Sequence, residues 1–397
     1  MNHPIVVIWF KELLDNLRDR RTLYAMIIAP MLLTPLLVVL PQRLLAEQRQ
    51  AQENAVVKVA VAGAEHAPAL IESLRASSKV EVIEASNPEE AIRARRATIG
   101  LIIPAGFEAA LTEGKSPQVA ILSDQSKFTQ NLQAARVEIL VRAYAQTIVA
   151  QRLAARGVDV SVMTPFKIDS QNIASAQQMG GAFLAMMLPM FIVLWGLVGG
   201  MYTAIDVTAG EKERLTLEPL LVSPTSRTQI VLGKLLAIIT TSFISLALSV
   251  LSMLVAFQIA PPDYGAGAEA VNFSVAPQTV LLILLAAFPV TLMFGALEIA
   301  ICIFARSFKE GQNYIVPLQF VVIIPAMAIM FLPDLALPAA TYAVPIFGAV
   351  VILRDLLLDT ARAPEFGIML GSSVVYAALC VALAVYQFRQ ERVLFRT

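Results

Sequence analysis

The sequence predicts a polytopic α-helical membrane protein: six transmembrane helices, with an extracytoplasmic α/β domain inserted between the first and second spans. Three observations predict it. The chain of 397 residues is 57% hydrophobic and only 15% charged, with a mean hydropathy of +0.69, well beyond the range of soluble domains. Six apolar runs approach the about 20 residues needed to cross a hydrocarbon core. Between two of them lies a dense charge cluster, Gly210 to Pro224, that hydrocarbon would not tolerate.

Residues 1–22 read as a helix on the inner membrane surface. Ile5, Ile8, Trp9, Leu13 and Leu17 recur at helical spacing, with Lys11, Asp15, Arg18 and Arg20 on the other faces. Glu12, Asp15 and Asp19 argue against a signal peptide, as does the lack of a small-residue cleavage site after the apolar run. The first span, Leu23–Leu40 within segment 23–42, contains Pro30 and Pro35. Such kinks require neighbouring helices to cover the freed carbonyls.

Segment 43–179 is large enough for a core of its own. Strands are expected at Val56–Ala62, Val80–Glu84, Ile99–Ile103 and Val119–Ser123. Helices alternate with them at Pro68–Ala76, Pro88–Arg96, Gly106–Glu113 and Thr129–Arg156. That alternation implies an α/β layer. Gly157 is placed to end the long helix, and Val160–Ile168 reads as extended.

The second span is Gly181–Ala204 in segment 180–205, followed by an inner loop over 206–230. Segment 231–334 carries the third to fifth spans, Val231–Phe257, Val280–Phe304 and Ile315–Leu332. In 335–366 the run Tyr342–Leu353 is broken by Pro345 and Gly348 and closed by Arg354 and Asp355. At about a dozen residues it suits a re-entrant or interfacial hairpin better than a span. The sixth span, Gly367–Phe388, and a tail complete 367–397.

Basic residues set the orientation. The N-terminal segment, the loop after the second span, Arg306 and Lys309, and the tail are all basic, whereas Gln258–Thr279 has no Lys or Arg. Both termini are therefore expected in the cytoplasm.

The sequence offers little catalytic chemistry. A net charge of zero gives no basic field for nucleic acid. His3 and His66 are far apart, and Cys302 and Cys380 lie within apolar runs, so neither a metal site nor catalytic residues are expected. Gly114-Lys115-Ser116 resembles the end of a phosphate loop, but Ala109 stands where the first glycine is required. Glu298 lies deep in the fourth span, with Thr291 near the same helical face and Gln319 a candidate neighbour in the fifth. Two readings stay open: a cation or proton site on a translocation path formed by Glu298, Thr291 and Gln319, or a structural carboxyl.

The stretch GEKERLTLEPLLVSPTSRTQIVLGK is similar to the inner loop of ABC-2 type transporter permeases, especially the sodium-extrusion, NatB-like branch. The resemblance extends to FKELLDNLRDRRTLYAMIIAPMLLTPLL, GLIIPAGFEAALTEGKSPQVAILSDQS, RSFKEGQNYIVPL and IFGAVVILRDLLLD, and so covers nearly the whole chain. One departure is Leu215, where such loops usually carry glycine. The resemblance implies a homodimer or heterodimer of permeases in a bacterial inner membrane, bound to a separate ABC ATPase. ATP and magnesium would sit in that partner, with no cofactor on this chain. It implies that Glu211, Lys212, Glu213, Arg214, Thr216 and Glu218 act as the coupling element, with Glu12, Asp15, Arg18 and Arg20 as a second contact. Sodium is the implied substrate, with lipid, drug or peptide as alternatives. An ion-coupled secondary transporter using Glu298 and a membrane-anchored sensor are the competing classes.

Overall fold

The computed structural model describes residues 3–124, 126–163, 165–166, 176–259, 275–328 and 337–390. It forms two compact units, Met1–Arg43 with Ile173–Thr397, and Leu44–Asn172.

Among the described residues six helices are long and apolar enough to cross a membrane: Tyr24–Gln48, Gln178–Glu213, Arg227–Ile259, Pro277–Cys302, Phe308–Ala328 and Ala363–Arg389. They are the first to sixth spans below. The second and fourth bury 56% of their apolar window inside the protein; the first, fifth and sixth bury only 22%. The former pair therefore forms the packed centre, and the latter three turn apolar side chains outward, which lipid accepts without cost. The second and third spans approach closely at Gly199 and Gly200. A side chain there would come within 2.5 Å of Ser245 and 2.4 Å of Ser242.

Polar side chains knit the spans together. Pro30 lacks the N–H that would serve the carbonyl of Met26, and residues Tyr24–Ile28 widen into a π-turn. The hydroxyl of Ser245, from the third span, donates to that carbonyl at 2.9 Å. This is the cover that the kinked first span requires. Further along, Trp195 Nε1 donates to Thr34 Oγ1 at 2.8 Å, and Thr34 shares a hydrogen bond with Ser249, joining three spans.

The short run before the sixth span is a turn, Ala339–Ala343, followed by a helix, Phe347–Leu357, whose residues from Gly348 onward are all buried. It packs against the second and fourth spans. Its charges are satisfied internally: Arg354 pairs with Asp355 at 2.7 Å, and the Tyr342 hydroxyl donates to Asp355 at 2.7 Å. Burial and that carboxylate hold the Tyr342 hydroxyl well above its ordinary pKa.

The second unit contains a four-stranded sheet ordered β2-β1-β3-β4. Strands β1 (Val57–Ala62), β2 (Val80–Glu84) and β3 (Ile99–Ile102) are parallel, and β4 (Ala120–Leu122) is antiparallel at the edge. β1 and β3, in the middle, carry near-continuous buried runs, as parallel strands covered on both faces do. Helices Pro68–Arg75, Pro88–Arg93, Phe107–Thr112 and Phe128–Ala155 alternate with the strands. Gly157, at φ 69°, ends the longest, with the Val158 amide donating back to Leu153. Val160–Met163 is a 3-10 turn instead of the expected extended segment, because the Asp159 carboxylate accepts from the Ser161 amide at 2.7 Å and curls the chain. The rest of that segment, 167–168, lies outside the described residues.

Ser245→Ala should leave the Met26 carbonyl buried and unpaired, costing about 1–3 kcal/mol. A lowered thermal unfolding midpoint in detergent is the expected result; an unchanged midpoint would contradict this account of the first span.

Candidate functional site

The helix of the third span begins at Arg227, before the expected start at Val231, and Lys234 within it is fully buried. A buried ammonium demands compensation. Lys234 Nζ lies 2.6 Å from Glu211 Oε2, 3.3 Å from Glu12 Oε1, and donates to the Val207 carbonyl at 2.8 Å. That carbonyl belongs to a π-turn, Asp206–Gly210, whose widened ring releases it from the regular helical ladder.

Glu12 arrives from the N-terminal helix, Pro4–Arg18, whose buried positions are Ile8, Glu12 and Asn16. Of the expected apolar face, Ile8 is buried and Ile5, Trp9 and Leu13 are half-buried, whereas Leu17 is exposed, as are Val6, Val7, Phe10 and Leu14 on the opposite side. Ile8 sits over Gly233, where a side chain would come within 2.8 Å of it, and Trp9 Nε1 donates to Thr240 at 3.0 Å. Lys11, half-exposed, bridges both carboxylates, at 3.2 Å from Glu12 and 3.3 Å from Glu211. Burial alone would lower its pKa, but Glu12 and Glu211 outweigh that and hold it above the ordinary lysine value. Lys11, Lys234, Glu12 and Glu211 thus form a neutral set of two cations and two anions.

The charged run that follows is the last helical turn of the second span, not the loop the sequence suggested. Its four residues reach different elements. Glu211 meets Lys234 and Lys11. Lys212 Nζ donates to the carbonyl of Ile303, just past the end of the fourth span, where a cation complements the helix terminus. Glu213 Oε2 accepts from the Phe308 amide at 2.8 Å, capping the start of the fifth span. Arg214 Nη1 donates to Asp206 at 2.9 Å.

The turn then closes with the Leu215 amide donating to Lys212 and the Thr216 amide donating to Glu211, a Schellman pattern with Leu215 at φ 59°. Leu215 thus adopts the conformation for which glycine is suited, which explains the one departure from the resembled pattern. The strain costs roughly 1–2 kcal/mol.

A groove of about 940 Å³ opens between the N-terminal helix and this turn. Carboxylates of Glu12, Asp15, Asp19, Asp206, Glu211 and Glu213 line it, against the cations Lys11 and Arg214. Of the expected coupling residues, Glu12, Asp15, Glu211, Glu213, Arg214 and Thr216 gather here. Lys212 turns away to the fourth span, and Glu218, Arg18 and Arg20 are exposed outside the groove lining.

The intramembrane trio is not one cluster. Glu298 is fully buried and neither of its oxygens has a hydrogen-bond partner among the described residues. The proposed pairing with Gln319 is absent, because that amide donates instead to Met201 Sδ at 3.2 Å. Thr291 donates to the Ala287 carbonyl at 2.9 Å beside Gly196. Lys234 is the residue that sequence reading missed as a site. Its signal was a lone cation one helical turn into an apolar run.

Residues 20–386 match the family described as ABC-2 family transporter protein. The chain belongs to that family. It is also 26% identical, over 97% of its length and 98% of the relative's, to the ABC transporter permease protein NatB of Bacillus subtilis (strain 168). No solved structure matches. The chain is therefore an ABC-2 permease and a multi-pass membrane protein, and membership implies an ATPase partner.

Lys234→Met should destabilise the permease by about 3–5 kcal/mol, because Glu12 and Glu211 stay buried with only Lys11 between them. Adding Glu211→Gln should restore part of the loss; an equally stable single variant in thermal unfolding would refute the ionic junction. Leu215→Gly should raise stability by about 1 kcal/mol by relieving the left-handed strain. A decrease would show that the leucine side chain contributes packing here.

Proposed function

We propose that this chain is the membrane subunit of an ATP-driven exporter and that the inner groove receives the ATPase. The observation that carries this reading is the groove itself, built from the N-terminal helix and the turn ending the second span, whose charges reach the third, fourth and fifth spans. A partner pressing on this turn acts on all of those helices at once. Beside it Leu215 and Val222 are 71% and 87% exposed, apolar contacts at the edge of a charged surface. Such a mixture suits a protein interface better than bulk water.

On this reading both termini and the groove are cytoplasmic, and the α/β unit lies on the far side of a bacterial inner membrane. ATP and magnesium bind the partner alone, and two permeases assemble around the transport path. Closure of the ATPase on ATP favours one arrangement of the spans over the other, a population shift driven by differential binding. Sodium is the substrate we favour, because the NatB-like resemblance runs through the entire chain.

Glu213→Ala with Arg214→Ala removes the cap on the fifth span and the tie to Asp206 while leaving the Lys234 junction intact. The expected outcome is a folded complex that hydrolyses ATP without driving transport. Retained coupling would overturn the role of this turn. Sodium efflux from vesicles containing both subunits tests the substrate, and its absence in wild type removes sodium.

A further inference from the structure

Glu298 is not the only orphan in the packed centre. Thr203, in the second span, is also fully buried, and its hydroxyl has no hydrogen-bond partner among the described residues. This departs from its neighbours in the spans: the hydroxyls of Thr208, Thr241 and Thr291 all donate to carbonyls in the preceding turn.

The two orphans fall at one level of one seam. Gly196 of the second span faces Thr291 of the fourth, with a side chain built on Gly196 reaching 3.3 Å from Thr291 Oγ1. Further on, Ile205 and Ala209 pack with Cys302 and Ala305, so the two helices run in the same direction. Seven residues are about two helical turns and return to the same face. Seven residues on from Gly196 and Thr291 stand Thr203 and Glu298.

Among the described residues, neither oxygen of Glu298 meets a cation or a hydrogen-bond donor. On the helices packed against the fourth span, Asp206 is bound by Arg214, and Lys234 by Glu12 and Glu211. Glu310 accepts from the Arg306 amide and Tyr314, and Arg354 pairs with Asp355. The thiol of Cys302, one turn further along the fourth span, is its neutral neighbour. An ionised carboxylate without donors would cost several kcal/mol in this setting, whereas a protonated one does not bear that charge. Glu298 lines neither the small cavity beside Gly196 and Thr291 nor the groove beside Trp195 and Tyr202.

We propose that Thr203 and Glu298 form a proton-binding site in the seam between the second and fourth spans, loaded while the seam is closed and discharged when it opens. In discharge the Glu298 O–H bond breaks, entering water takes the proton, and the carboxylate left behind accepts a hydrogen bond from Thr203. The loaded site stands without the ATPase; only the opening step rests on the transport reading.

The test uses the full-length permease in lipid vesicles. Infrared spectroscopy at neutral pH should show a protonated-carboxyl C=O band that disappears in Glu298→Gln and persists in Thr203→Val. Absence of such a band in wild type overturns the proposal. With the partner ATPase added and ATP supplied outside, a pH dye sealed inside should report a proton signal. At equal hydrolysis that signal should be lost in Glu298→Gln and reduced in Thr203→Val. A signal identical in all three would make Glu298 a structural carboxyl. Failure of ATP to drive any transport would count against the exporter reading alone, since the infrared band still decides the loaded state.

Discussion

Everything at the inner end of the helix bundle depends on one buried ammonium. Lys234 has no access to water, and its three donors can be satisfied only if the N-terminal helix and the inner end of the second span converge on it. The N-terminal helix supplies Glu12, the last turn of the second span supplies Glu211, and the π-turn before it supplies a carbonyl. Replacing such a set with apolar residues can be neutral for stability, whereas breaking it is costly. Its effect is to fix geometry: the helices must meet in this arrangement, or a charge is stranded.

The run from Glu211 to Arg214 extends that constraint outward. Each of its charges ends on a different element, so the turn is a junction more than an exposed cluster of docking charges. Exposed ion pairs contribute little to stability taken singly. Here the value is mechanical, because a displacement of the turn cannot leave the third, fourth and fifth spans in place. The groove beside it is where a partner subunit would act on that junction. The seam between the second and fourth spans, with its two unpaired polar groups, is where a change in helix packing would be registered.

How much of this the sequence disclosed follows from the range of each interaction. The six spans were legible because about 20 apolar residues leave few alternatives, and the short helix at Phe347–Leu357 was legible because it is too short to cross. The central strands of the α/β unit could be read from their apolar runs, and Gly157 from its place at a helix end. Helix termini were less legible. Glu211 and Glu213 looked like loop residues, yet each has a partner from a distant part of the chain that lets the helix continue. The burial of Glu12 was not legible for the same reason, since Lys234 is more than two hundred residues from it. Leu215 was visible as an anomaly and became intelligible only with its φ angle.

Locked by Lys234, the N-terminal helix and the Glu211–Arg214 turn form one rigid body. Spin labels at Leu14→Cys and Leu215→Cys, both exposed positions, would measure it directly in a chain with Cys302 and Cys380 replaced by alanine. In the complex with its ATPase, the distance between the labels should be narrowly distributed and the same with and without ATP. A distance that shifts or splits on ATP binding would show the two elements moving apart, and would contradict the claim that Lys234 locks them together.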